Sequence, residues 1–486
     1  MTQTSPEPNA QTETTQAQAP QLQRMLSLRH IMFIALGSAI GTGLFYGSAS
    51  AIQAAGPSVV LAYMIGGAAV FMVMRAMGEL ALAHPVAGAF SEYATRYLGP
   101  WAGFVTGWSY ALEMALVAIA DVTAFAIYMQ FWFPGTPSWI WIVSVLLILL
   151  AVNLTKVKAF GETEFWFTLI KVSAIVAMII GGLALLLMGV HTHAEVAPSI
   201  TNLWALPNAD NGGGGTQGGF FANGWQGFLA CFTVVMFAFG GIETIGIAAG
   251  EAKDPRRSIP KAIRTVPFRI LLFYVLTLSI IMSLYPWYSV TKGNSPFVQI
   301  FSSLGVPFAA DLLNLVIITA AISALNADMY GAGRMLYGLA QSKMAPASFA
   351  RLGKNGAPWM TTVVLIAVLA LGVIFNALYE NAFVIVASLA TFATVLVWVM
   401  IVLSHIAYKR GGYDTEKQPV RLPLWASYLT LAFMVFIVAL FAFFEDTQQA
   451  LIVGAAWCLF LLLYYRLAVS RRVRAAALED AQAHTS

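Results

Sequence analysis

The sequence predicts an all-α membrane protein with twelve transmembrane helices. Three observations carry that prediction: the excess of apolar residues, their grouping into runs of about twenty, and the confinement of basic residues to alternate connectors. Of 486 residues, 59% are hydrophobic and 10% are charged, whereas a soluble domain carries roughly 25% charge. The mean hydropathy of +0.76 exceeds what one protein core can absorb. The apolar runs fall at 31–52, 57–80, 101–132, 138–154, 163–188, 225–249, 269–289, 308–330, 360–378, 382–407, 424–444 and 449–467. About twenty apolar residues as a helix cross a hydrocarbon layer of roughly 30 Å. Lipid-facing strands would need a closed barrel, and the apolar–polar alternation of barrel strands is absent.

Orientation follows from lysine and arginine. Arg24 and Arg29 precede run one. Lys253, Arg256, Arg257, Lys261, Arg264 and Arg269 follow run six, and Lys343, Arg351 and Lys354 follow run eight. Lys409, Arg410, Lys417 and Arg421 follow run ten, and Arg466, Arg471, Arg472 and Arg474 follow run twelve. The alternate connectors contribute Lys292. Positive residues stay on the cytoplasmic side, so both termini are expected inside and the long connector 189–224 outside. Its glycines Gly212 to Gly215 lack the preceding strand and the Lys-Ser/Thr pair of a phosphate loop. The pI near 8.9 reflects these connectors and implies no nucleic acid. Residues 1–23 have neither the basic start nor the apolar stretch of a secretory signal; they and 471–486 are expected to be cytoplasmic tails without order, flanking a domain at 24–470. Trp132, Trp139 and Trp287 outside, and Trp166 and Trp359 inside, match an interfacial aromatic belt.

The chemistry-bearing residue types are sparse. Cys231 and Cys458 lie inside apolar runs and have neither metal spacing nor a disulfide framework; both are expected to be buried, inert thiols. His30 and His84 fall near cytoplasmic ends, His191 and His193 in the external connector, and His405 at the inner end of run ten, where an interfacial place is expected. A lone His-x-His pair is a weak metal signal. No nucleophile–histidine–carboxylate set occurs at a membrane face, so the reading is of a chain that is not an enzyme, with no metal and no cofactor.

Run one is interrupted by Gly37-Ser38-Ala39-Ile40-Gly41-Thr42-Gly43. Each glycine costs about 1 kcal/mol against alanine in a helix. Such a stretch can unwind beside a cavity and free amide groups for an anion, or it can pack small residues against a neighbouring helix. This segment by itself leaves both open. Run six adds Phe239-Gly240-Gly241-Ile242-Glu243. Runs one and six are the first helices of two five-helix blocks, at about 31–188 and 225–407, with trailing helices at 424–467. Five is odd, so the second block enters from the opposite side. Glycine-interrupted helices at matching places of inverted halves point to a transporter's substrate site, with the half-helix N-terminus of run one facing a substrate carboxylate.

Charges inside apolar runs are expensive and tend to face a cavity or a partner. Glu113 and Asp121 sit eight residues apart on run three, roughly 80° apart around a helix, so one broad face holds both; Tyr110 lies one turn before Glu113. Helix-to-helix hydrogen bonds are the alternative reading for both acids. Glu243 lies in the break of run six. Lys171 lies on run five, seven residues beyond Glu164, a rise of about 10 Å; its long stem also permits snorkelling to the interface. Together Glu113, Asp121 and Glu243 lend the core a negative potential suited to a cationic, imidazole or imino group.

These motifs have a familiar form. RHIMFIALGSAIGTGLFYG at 29–47, KAFGETEFWFTLIKV at 158–172, FGGIETIGIAAGEAKDPRRSIPKAI at 239–263 and GRMLYGLA at 333–340 resemble the bacterial amino acid transporter family of the amino acid–polyamine–organocation superfamily, over about residues 24–470. IADVTAFAIYM at 119–129 and GIETIGI at 241–247 bring it nearest to proline-specific and histidine permeases. The resemblance implies a LeuT-like fold of two inverted five-helix repeats plus two trailing helices, and uptake across the inner membrane driven by a proton gradient. It implies that Lys171 occupies the region where sodium-coupled relatives bind an ion, with Ser323 of run eight near it. It implies that the unwound segment of run one, Ser38 to Gly43, holds the amino and carboxyl groups of the substrate, while runs three and six face its side chain. The expected substrate site is therefore Ser38, Ala39, Ile40, Gly41, Thr42, Gly43, Tyr110, Glu113, Asp121, Phe239, Gly240, Gly241 and Glu243. The expected partners are an amino acid, with proline or histidine favoured, a proton and the bilayer, with no obligate protein partner. A permease for aromatic or cationic amino acids and an amino acid sensor of transporter fold are the alternatives.

Overall fold

The computed structural model describes residues 26–38, 40–86, 88–153, 157–189, 197–203, 219–290, 295–298, 307–353, 356–378, 382–412 and 418–475. The expected N-terminal tail, most of connector 189–224 with His191 and His193, Lys292, and residues 476–486 lie outside these. Each of the twelve apolar runs contains helix. Among the described residues, extended pairing is limited to one parallel bridge, Leu26 with Ala252, in which Leu26 N donates to Glu251 O and Lys253 N to Leu26 O, both at 3.0 Å.

The chain enters its first helix, α1 (Leu28–Gly37), through a Ser27 cap whose hydroxyl accepts from His30 N, while the His30 ring reaches back to the Ser27 amide. Satisfying free N–H groups in this way fixes a helix start. The α-helix ends at the first glycine of the predicted break. It resumes as a π-wound turn, Gly43–Gly47, that runs into α2 (Ser48–Ala55). There follow α3 (Val59–Ala83), α4 (Ala89–Leu98), α5 (Pro100–Trp132), α6 (Ser138–Asn153) and α7 (Val157–Met188). Run six divides into α8 (Gly224–Ala230), α9 (Phe232–Ala238), a non-helical stretch 239–243, and α10 (Thr244–Ala249). Next come α11 (Pro255–Arg269), α12 (Thr277–Leu284), α13 (Pro307–Gln341), α14 (Trp359–Leu378), α15 (Ala382–Arg410), α16 (Leu424–Phe443) and α17 (Glu445–Tyr464).

Eight helical segments among the described residues are long and apolar enough to cross a membrane. Four shorter apolar helices, Leu28–Gly37, Ser138–Asn153, Gly224–Ala238 and Trp359–Gly372, stand at runs one, four, six and nine. Burial sorts the long ones. The apolar window of Pro100–Trp132 is 72% buried, and that of Thr447–Ala475 only 17%, so α5 is a central helix and α17 faces outward.

Several boundaries differ from expectation. The basic connector after run six is helical as α11, because Asp254 caps it by accepting from Arg257 N at 3.2 Å and Pro255 suits its first turn. The unforeseen α4 is a short helix with apolar and charged residues segregated, a pattern that hydropathy averaging misses. The helix α13 runs past 330 to Gln341. The last helix continues through a π-wound turn to Ala475, so the tail expected from 471 begins as helix. His405, expected at the interface, packs inside the protein. It is fully buried, with Nε2 2.9 Å from Glu79 and Nδ1 3.0 Å from the Ser427 hydroxyl. Glu79 also pairs with Lys409 and accepts from Leu422 N at 2.9 Å, so one buried carboxylate ties α3, α15 and the entrance to α16. Trp287, expected in the outer belt, is buried against Gly56. Cys231 is buried and Cys458 is partly exposed.

Candidate functional site

The two glycine breaks meet. Gly241 has φ of +86°, a left-handed conformation that favours glycine, and a Cβ there would lie 2.9 Å from the Ser38 carbonyl oxygen. A Cβ on Gly43 would lie 2.6 Å from the Ala238 Cα. Both glycines therefore permit backbone-to-backbone approach that no other residue allows. The loose ends are held by side chains from neighbouring helices. Tyr274 donates its hydroxyl to the Ala238 carbonyl at 2.7 Å. Lys171, fully buried on α7, donates its ammonium to the carbonyls of Gly37 at 2.9 Å and Ile40 at 3.2 Å. Both carbonyls lie where the regular helical donors of α1 run out; that of Gly37 also accepts from Ile40 N at 3.0 Å.

Lys171 belongs to a buried polar cluster. Glu164, two turns earlier on the same helical face, stands 4.0 Å from it. Ser323 on α13 lies 2.8 and 2.7 Å from the two Glu164 oxygens, and the Thr168 hydroxyl lies 3.2 Å from Glu164 and 3.3 Å from the Phe33 carbonyl. Ser323 is thus in the neighbourhood expected for it, linked to Lys171 through Glu164.

Between the breaks lies a cavity of about 20 Å³, lined by Ser38, Gly41, Thr42, Gly43, Val117, Asp121, Phe237, Ala238, Gly240, Ala324 and Asp328. Four helical segments meet there: the first break, α5, the second break and α13. Asp121 accepts a hydrogen bond from the Thr42 hydroxyl, which fastens α5 to the N-terminal end of the resumed helix.

This arrangement coincides with a sequence-wide likeness. A family model described as amino acid permease matches residues 30–477. The chain belongs to the amino acid permease family. It is similar to the amino acid permease YtnA of Bacillus subtilis (strain 168), at 45% identity over 470 residues, covering 96% of this chain and 99% of the relative. It is similar to the D-serine/D-alanine/glycine transporter of Escherichia coli (strain K12), at 42% over 451 residues, covering 91% and 93%. It is also similar to the amino-acid permease AapA of Bacillus subtilis (strain 168), at 40% over 458 residues, covering 93% and 96%.

Of the permease residues singled out by sequence, Ser38, Gly41, Thr42, Gly43, Asp121 and Gly240 line the cavity. Ile40 contributes its carbonyl to Lys171, and Ala39 lies outside the described residues. Tyr110, Glu113, Phe239, Gly241 and Glu243 are not among the lining residues; they form the packing behind the second break. Glu243 accepts from Gly241 N at 3.1 Å and from Trp398 Nε1 at 3.0 Å, so its carboxylate braces the break and anchors it to α15. Glu113 sits beside Glu243 and Thr394 with neither oxygen in a well-formed hydrogen bond. The Tyr110 hydroxyl is 3.2 Å from that of Thr244. Phe239 packs against Tyr63 and Tyr274, with ring centroids 5.8 and 4.9 Å away.

Three residues of this permease escaped sequence reasoning. Asp328 lines the cavity, Glu164 is the carboxylate beside Lys171, and Trp398 is the donor to Glu243. The rule that singled out Glu113, a charge inside an apolar run, applies equally to Asp328 in run eight and Glu164 in run five. Trp398 carries no such mark.

Proposed function

We propose that this permease carries a small neutral amino acid into the cell by proton symport across a bacterial cytoplasmic membrane. In this reading the chain crosses the bilayer twelve times, as inverted repeats 31–188 and 225–407 with trailing helices at 424–467, and both termini are cytoplasmic. The observation that carries it is the meeting of two glycine-broken helices at one small cavity. Broken helices expose backbone groups at mid-membrane, where nothing but a polar ligand or protein can satisfy them. The amides of Gly41 to Gly43 receive the substrate carboxylate at the start of the resumed helix, where the helix dipole favours negative charge.

Size supports a small side chain. A cavity of about 20 Å³ has room for little more than one water, so a substrate enters by displacing the walls, and each added heavy atom demands more displacement. The relative named as a D-serine/D-alanine/glycine transporter supports the same size class. Proline or histidine is the second reading, favoured by the two carboxylates, Asp121 and Asp328, at the cavity wall. Lys171 is the proton-carrying group of the proposal, positioned by Glu164 and Ser323. Its ammonium holds the carbonyls of Gly37 and Ile40, so losing the proton loosens two ties to the first break.

The test is uptake into proteoliposomes containing the purified chain, with a panel of labelled glycine, alanine, serine, proline and histidine. An imposed inward proton gradient without sodium should accumulate the three small amino acids and leave the other two near background. Accumulation of proline or histidine alone would transfer the assignment to the second reading. Binding without accumulation would favour a sensor.

A further inference from the structure

We propose that Asp328 is the anchor for the substrate's α-ammonium group. This rests on the cavity between the two breaks being the substrate site.

Asp328 is 5% exposed, it lines that cavity, and its Oδ2 has no hydrogen-bond partner. A buried carboxylate oxygen without a donor is rare and costly. The neighbouring charged groups do not relieve it. Asp121, Glu164 and Glu243 all oppose its charge. Lys171, the cation acting on it, is occupied by the carbonyls of Gly37 and Ile40 and stands beside Glu164. Asp121 also has an unpartnered Oδ2, but its other oxygen is held by the Thr42 hydroxyl. Among the described residues, Asp328 is therefore the cavity carboxylate to which the protein commits no side-chain donor.

The partner that fits is small, cationic and rich in N–H donors, which describes the ammonium of an amino acid. Geometry also orients the substrate. Asp328 comes from α13, while the amides of Gly41 and Gly43 come from the first break. A zwitterion with its ammonium on Asp328 turns its carboxylate toward those amides. Asp328 would then impose a requirement for a free α-amino group and reject hydroxy acids and N-acylated amino acids of the same size.

The test measures ligand-induced thermal shifts and dissociation constants on the full-length chain in detergent, with glycine, alanine, proline and histidine as probes and glycolate and N-acetylglycine as controls. The wild type should respond to at least one amino acid and to neither control. Asp328→Asn should weaken that amino acid about tenfold or more, as expected for a lost hydrogen bond to a charged group. Its unliganded Tm should stay equal to or above that of the wild type, because a buried acid crowded by other carboxylates is replaced by a neutral amide of the same shape. Asp328→Glu should recover part of the affinity. Asp328→Asn binding within twofold of wild type, while Gly43→Ala abolishes binding, would overturn the role of Asp328 and leave the cavity in place. A fall in unliganded Tm with affinity intact, or loss of gradient-driven accumulation with affinity intact, would assign Asp328 to structure or to proton carriage and overturn the proposal. A wild type that binds none of the probes, or binding that survives both Asp328→Asn and Gly43→Ala, would overturn the proposal together with the substrate site beneath it.

Discussion

Lys171 holds Gly37: the buried ammonium lies 2.9 Å from the carbonyl oxygen at which the first helix stops. A single charge on α7 thereby reports on the state of the break in α1. While the ammonium is protonated it donates to the freed carbonyls. Once it is neutral, the donors are fewer and the break is free to rearrange. The same lysine stands beside Glu164, and in the proposed symport this one side chain would link proton occupancy to backbone geometry.

Coupling and stability at this lysine can be separated. Lys171→Ala leaves Glu164 buried without its cation, a loss of about 3–5 kcal/mol when one partner of a buried pair is removed. The double variant Lys171→Ala/Glu164→Gln removes the stranded charge and should recover most of the Tm. Neither variant should accumulate substrate under an inward proton gradient, although exchange should persist. Proteoliposome uptake with the gradient imposed and then collapsed decides the matter. Gradient-driven accumulation in the double variant would move the coupling role elsewhere, with Glu113 next in line.

Backbone approach at the breaks sets a second expectation. Alanine at position 43 meets the Ala238 Cα at 2.6 Å, so even one methyl must push the two broken helices apart. Gly43→Ala should reduce transport by about tenfold or more, consistent with a clash cost of about 1–3 kcal/mol, and should lower the Tm in detergent. Initial uptake rates normalised to folded protein give the comparison. Normal uptake would mean that the two breaks need not touch during the cycle.

The carboxylate of Glu79 has a structural part to play. It serves His405, Lys409 and the Leu422 amide. Glu79→Ala strands a cation and a buried amide together, and stability should fall by about 3–5 kcal/mol. Thermal unfolding in detergent measures this. Glu79→Gln keeps an acceptor for the Leu422 amide and should fall less. Equal stabilities of wild type and alanine variant would show that the cluster is not what holds α16 to the core.

Orientation has its own test. Basic residues crowd the connectors on one side, so a cysteine at Thr216, in a chain lacking Cys231 and Cys458, should react with an impermeant thiol reagent on intact cells. Reaction only after permeabilisation would invert the topology.

The site was legible in proportion to how local its signals are. Glycines at 37, 41 and 43 and at 240 and 241 mark the breaks because each weakens its own helix, whatever surrounds it. Glu113 and Glu243 were legible as buried charges, yet the linear sequence did not say that Glu243 braces Gly241 and Trp398 while Asp121 faces the cavity. Residues Asp328 and Glu164 carried the same local mark and went unread. Their meaning depends on α13 and α7 meeting the first break.

What the sequence by itself determined is the helical, membrane-class character of the chain, its family, and the places where glycine interrupts runs one and six. These follow from composition, run length and backbone freedom, which act within one segment. Only the tertiary structure decided that the two breaks touch, that Lys171 captures the carbonyls of Gly37 and Ile40, that His405 is buried on Glu79, and that Asp328 lines the cavity with an unpartnered oxygen. The physical reason is that a helix apolar on nearly every side carries no periodic record of which face turns inward. That choice is made by the packing of helices far apart in the chain, through contacts that no spacing within one run encodes.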